Sequence, residues 1–165
     1  MIKKFIYSAL FALVLTLSFD GSAQKTDIYT NDNLLYREGL ELFDKEKYAA
    51  AQKMFETYME GLSDRHLEQY INAEFHAGIC ALYLYHKDAE FRLEKFVQMH
   101  PESPWVRKVY LELANYNYKR KKYKKSLEWF EYVDPNDLRE DDLAEFKFKR
   151  GHSMFMQERY ADARP

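Results

Sequence analysis

The chain has 165 residues, of which 47% are apolar, 32% charged and 17% aromatic, with a formal net charge of −2. That length fits one domain with a sizeable core, and 14 tyrosines with 12 phenylalanines exclude a disordered polar tract. The near-neutral balance excludes a general nucleic-acid binder, which is strongly basic. A single cysteine excludes both a disulfide framework and a multi-cysteine zinc site.

Lys3 and Lys4 open the chain, and an uncharged run from Phe5 to Phe19 follows, closed by Asp20. Gly21 and Ala23 then place small residues before a cut ahead of Gln24. This order of charged, apolar and small residues predicts a secretory signal peptide over 1–23. The run falls short of the roughly 20 residues that span a bilayer, and Cys80 is remote from the cut. The pattern therefore predicts no stable membrane anchor after cleavage and no lipid-anchored form. Residues 24–31 read as a short linker.

From Gln24 onward Lys, Glu, Leu, Ala and Tyr dominate, and only ten residues are Val, Ile or Thr. Such a composition favours helix over strand. Tyr48, Ala51, Phe55 and Tyr58 advance by three and four, as do Leu67, Ile71, Phe75, Gly78, Leu82 and Tyr85. These are the apolar stripes of amphipathic helices. Gly61 is expected to close one helix in the left-handed conformation and Ser63 to cap the next. His100-Pro101 predicts a helix end, because the residue before proline is pushed out of helical geometry. Ser103-Pro104 predicts an N-cap with proline at the first helical position, and Asp137 with Glu140 has capping-box spacing. The fold class is all-α.

A period runs through the remainder. Gly39, Gly78, Ala114 and Gly151 stand 39, 36 and 37 residues apart. After each comes a restart, at Lys47-Tyr48, Asp88-Ala89, Lys122-Tyr123 and Arg159-Tyr160, and three of the four place Tyr three residues before Ala or Ser. Small residues on both helices of a hairpin let the two approach closely, and the aromatic seals the turn. One such hairpin cannot bury its own apolar face, so it must stack on its neighbours.

These residues resemble the tetratricopeptide repeat. Its small–aromatic–small–aromatic signature is matched by Gly39, Tyr48, Ala51 and Phe55, with Gly78, Ala89 and Pro101 following in the second copy. The third copy matches at Tyr110, Leu113, Ala114, Tyr123, Ser126 and Phe130, and the fourth at Gly151, Tyr160 and Ala163. Glu38 and Arg150 depart from the pattern at a position that is usually apolar. The resemblance implies a right-handed superhelical solenoid of antiparallel helix pairs over 32–165, with about three and a half repeats at 32–62, 63–101, 103–135 and 137–165. The signal peptide and the link His100-Pro101-Glu102-Ser103-Pro104 look most like exported bacterial members, implying the periplasm or cell envelope of a Gram-negative bacterium. The fourth repeat stops inside its second helix at Pro165, without the polar cap that solenoids generally carry. That leads us to expect an amino-terminal piece of a longer protein, or self-association through the uncapped last repeat.

The resemblance also implies a function. Members of the family bind peptides in a concave groove on the first helix of each pair. By the phase above, the groove residues here would be Tyr36, Leu40 and Phe43; Phe75, Ile79 and Leu82; Leu111, Asn115 and Tyr118; Phe148, His152 and Phe155. The implied role is an exported protein–protein interaction scaffold that takes a peptide or protein partner in an aromatic, apolar groove. The rival readings are an envelope assembly factor and the docking arm of an enzyme whose catalytic domain lies beyond residue 165.

Catalysis has little support in these residues, since there is no phosphate loop, His-Glu-x-x-His or Gly-x-Ser-x-Gly. We expect no enzyme, no cofactor and no nucleic-acid partner in this segment. His76 and Cys80 stand one helical turn apart but offer too few ligands for zinc; Cys80 reads as a buried apolar residue and His76 as partly exposed. Glu140, Asp141 and Asp142 read as helix-dipole partners. The basic run Lys119, Arg120, Lys121, Lys122, Lys124 and Lys125 around Tyr123 is either a solvated turn or a contact for an anionic partner.

Overall fold

Apolar stripes of helical period, interrupted at regular intervals, give an all-helical chain. The computed structural model describes residues 23–163, with side chains from Leu34 onward. Apart from Ala23, the predicted signal peptide lies outside the described residues. Among them run α1 (Ala23–Asp44), α2 (Tyr48–Glu60), α3 (Glu68–Tyr83), α4 (Ala89–Met99), α5 (Val106–Lys119), α6 (Tyr123–Phe130), a 3-10 turn (Pro135–Asp137) and α7 (Glu140–Met156), with no strand. Each helix packs chiefly on those before and after it, and α1, α3, α5 and α7 also touch one another in succession. No described helix is long and apolar enough to cross a membrane.

The turns repeat in the same phase as the small residues. Glu46, Tyr85, Lys121 and Glu158 all have positive φ, between 56° and 63°. After each, an N–H reaches back five residues: Lys47 to the Leu42 carbonyl (2.8 Å), His86 to Ala81 (3.0 Å), Lys122 to Asn117 (2.9 Å) and Arg159 to Met154 (3.0 Å). This pairing satisfies the last helical carbonyls and sends the chain back antiparallel. A side chain in left-handed geometry is strained, and glycine is the residue that relieves it. Glu46→Gly and Lys121→Gly are therefore each expected to stabilise the fold by about 0.5–1 kcal/mol, read as a rise in the thermal unfolding midpoint.

Close approach within each hairpin follows from the small residues. A methyl group on Gly39 would stand 2.8 Å from the Phe55 ring of α2, and one on Gly78 would stand 2.7 Å from Leu93 Cδ2 of α4. In the third hairpin Ala114 and Ser126 are both fully buried, and Ser126 Oγ donates to the Ala114 carbonyl at 2.9 Å. The predicted aromatic seal is present as edge-on ring pairs of one geometry: Phe43 with Tyr48 (5.6 Å), Tyr118 with Tyr123 (5.9 Å) and Phe155 with Tyr160 (5.2 Å).

Successive hairpins enclose three apolar clusters. One gathers Ala51, Phe55, Tyr58, Ala77 and Cys80; the largest gathers Phe75, Ile79, Leu82, Leu93, Phe96, Val109 and Leu113; the third gathers Leu111, Ala114, Phe130, Val133 and Phe146.

Several local expectations are corrected. Residues 24–31 are not a linker but the first turns of α1. Gly61 is right-handed, with φ −74°, and the left-handed positions are the four turn residues instead. Leu67, not Ser63, precedes α3, and α3 ends at Tyr83, so Tyr85 lies in the turn beyond it. α5 begins at Val106; Ser103 caps only the preceding turn, its Oγ accepting from the Trp105 N–H at 3.3 Å. Arg139 precedes α7, while Asp137 lies in the 3-10 turn and pairs with Arg107 at 3.1 Å. The helix end at His100-Pro101 and the acidic first turn of α7, Glu140-Asp141-Asp142, are as expected.

Candidate functional site

The predicted groove residues do not share one surface. Phe75, Ile79, Leu82 and Leu111 are buried in the clusters between hairpins. Tyr36, Leu40 and Phe43 are half-buried, and Tyr36 and Phe43 pack on Tyr58 and His76 respectively. Tyr118 and His152 contact each other across α5 and α7, with Tyr118 Oη 3.1 Å from His152 Nδ1. Phe148 and Phe155 are more than half exposed and, with His152, line a cleft of about 690 Å3 between α7 and the Asp162-Ala163 turn beyond it. Asn115 alone of the set lines both clefts between the odd-numbered helices.

Between α3, α5 and α7 the helices leave open two clefts that mix polar groups with aromatic rings. A cleft of about 350 Å3 is lined by Tyr48, Leu82, Tyr83, Tyr85, Glu112, Asn115, Tyr116 and Lys119. A second, of about 190 Å3, shares Tyr83, Glu112, Asn115 and Lys119 and continues to Lys108, Leu111, Asp142, Glu145, Phe146 and Lys149. Charge is held there by pairing. The Glu112 carboxylate is nearly buried and accepts from Tyr83 Oη at 3.0 Å, with Lys108 Nζ 3.4 Å away. Lys149 is equally buried, donates to Asn115 Oδ1 at 3.0 Å, pairs with Glu145 and lies over the Tyr118 ring at 5.7 Å. Burial is the main reason the Tyr83 phenol is pushed well above the tyrosine range, with the Glu112 charge adding to it. Such buried charges are tolerable only because each has partners.

Lys149 also fixes the amide of Asn115. With Oδ1 turned to the ammonium, the Asn115 Nδ2 group is left as a donor where the two clefts meet. The cleft thus presents a donor, tyrosine rings and cations at stated places, which suits the carbonyls and side chains of an extended polypeptide.

The basic run is divided by the fold. Lys122 and Lys125 take the carboxylate of Glu90 on α4, and Lys125 also reaches Glu94 at 3.6 Å. Partial burial alone would lower the Lys125 ammonium, but Glu90 and Glu94 together raise it. Arg120 donates to Tyr116 Oη and lies 5.2 Å from the centre of that ring. Lys119, Lys121 and Lys124 are exposed and have no carboxylate partner among the described residues.

His76 is buried rather than partly exposed. Its Nδ1–H donates to the Asn72 carbonyl at 2.7 Å, and rings of Phe43, Phe55, Phe75 and Trp105 surround it. Burial holds it below the usual histidine range, the Asn72 bond opposing. Cys80 is fully buried, and its burial pushes the thiol up to about 12. Among the described residues no group of three or more His, Cys, Asp or Glu side chains could hold a metal ion.

The sequence reading missed Tyr83, Glu112 and Lys149. A signal was present: Arg37, His76, Glu112 and Lys149 occupy one phase, two residues before each small residue, and all are polar. No protein-family model, curated protein or solved structure matches this chain.

Proposed function

We propose that this chain is an exported interaction scaffold of the tetratricopeptide type, a solenoid of antiparallel helix pairs that holds a peptide segment of a protein partner. The binding surface is the cleft on α3, α5 and α7, where tyrosine rings and charged groups stand beside Leu82 and Leu111. Four turns of one geometry in phase with four small residues support the repeat reading. The observation that carries the binding reading is the Asn115 amide, held by buried Lys149 where two clefts join. This segment works by recognition, without chemistry of its own, in the periplasm or cell envelope.

The test is a peptide array probed with the full chain, followed by Asn115→Ala. A subset of peptides is expected to bind. Loss of one positioned hydrogen bond should weaken them on the order of tenfold, with helical circular dichroism retained and the thermal unfolding midpoint lowered, because buried Lys149 loses one of its partners. Binding that Asn115→Ala leaves intact, or an array with no bound peptide, overturns the proposal.

A further inference from the structure

We propose that the third hairpin turn is a docking surface for an acidic segment of the protein partner, contacted by Lys119, Lys121 and Lys124; this rests on the scaffold reading above. The charge of the turn is lopsided. Its neighbours mix signs, with Asp44, Lys45, Glu46 and Lys47 in the first turn and Glu158, Arg159 and Asp162 in the fourth. The third turn carries six cations in seven residues, from Lys119 to Lys125, and no carboxylate.

The chain itself shows what this turn recognises. Glu90 and Glu94, one helical turn apart on α4, are held by Lys122 and Lys125. Two of the six cations are thus already used to grip a pair of carboxylates on a helix. Lys121 and Lys124 are exposed and line none of the described clefts. A convex turn bearing cations on long stems offers no enclosed subsite for one small anion. It suits a segment whose carboxylates reach several ammonium groups at once. Lys119 joins the two surfaces, because it lines both clefts and opens the basic run. A segment lying in the cleft would carry its acidic end over Lys121 and Lys124. Tyr85, more than half exposed in the second turn and 5.8 Å from the Tyr116 ring, stands beside that path.

The experiment measures binding of fluorescein-labelled octa-glutamate to the full chain at low salt, with vesicles of phosphatidylcholine and phosphatidylglycerol as a second probe. Lys121→Gln with Lys124→Gln is compared with Lys53→Gln with Lys95→Gln, which removes the same charge from exposed lysines elsewhere. Octa-glutamate is expected to bind. The turn variant should weaken it roughly fivefold to tenfold, the control variant less than about twofold, and added salt should release it. Absent binding, equal loss in both variants, or a turn-dependent response to the anionic vesicles alone overturns the proposal. Array peptides that still bind in that case leave the scaffold reading standing. A turn-dependent octa-glutamate signal with a blank array removes the cleft instead.

Discussion

Phe55→Ala is expected to cost about 3–5 kcal/mol, a large share of the total stability of an ordinary domain. The ring is fully buried between α1 and α2, edge-on to Tyr36 and tilted against His76. Its position also decides the sign of a second substitution. Alanine in place of glycine inside a helix ordinarily gains about 0.5–1 kcal/mol, but a methyl on Gly39 would meet the Phe55 ring at 2.8 to 3.1 Å. A ring packed on all sides cannot swing away, and overpacking costs about 1–3 kcal/mol. Gly39→Ala should therefore destabilise the wild type, and Gly78→Ala likewise, because Leu93 is fully buried. At Gly151 the nearest atom is the Ala163 carbonyl at 3.4 Å, so the same change should be neutral or stabilising there. In the Phe55→Ala background Gly39→Ala should change sign, since the atom it strikes is gone. Urea unfolding of the four-variant cycle measures that coupling. A Gly39→Ala that raises the stability of the wild type would sink the close-approach argument.

The features legible in the sequence were those carried by side-chain size and period. Gly39, Gly78 and Ala114 marked where helices touch, and the Tyr48 and Tyr123 restarts marked where the chain turns back. The turn geometry was not legible, because Glu, Tyr, Lys and Glu occupy left-handed positions at 46, 85, 121 and 158. Expecting glycine there sends attention to Gly61, which is right-handed. The cleft was legible in part, since Leu82, Leu111 and Asn115 of the expected groove line it. Successive side chains on a helix are about 100° apart, and Glu112, one residue on from Leu111, lines the cleft from outside the expected phase. Burial of charge hid it further. Nothing in the sequence marks Glu112 and Lys149 as buried, because only their partners, on other helices or a turn away, make burial of those charges tolerable.

Alkaline pH is expected to unfold the protein between about pH 9 and 12, with the Cys80 thiol and the Tyr83 phenol the main causes. The thiol is raised from 9.0 to about 12, mainly by burial in the first apolar cluster and further by the Glu56 charge. The unfolded thiol loses its proton first, so between those values the folded state binds more protons and stability falls as pH rises. The contribution is complete below pH 9 and gone by pH 12, on the order of 4 kcal/mol for a shift of that size. Tyr36, Tyr48, Tyr83, Tyr110 and Tyr118 are all raised, chiefly by burial, and act in the same direction. The phenols should ionise together with the loss of helix, seen as tyrosinate absorbance rising in step with the fall in helical circular dichroism. Cys80→Ala isolates the thiol. It leaves a small cavity and costs about 1 kcal/mol at neutral pH, so the informative quantity is the slope of stability with pH rather than its value. The variant should be the less stable protein at pH 8 and the more stable one near pH 11. A difference between the two that stays constant from pH 8 to 12 would show that the thiol titrates freely in the folded state.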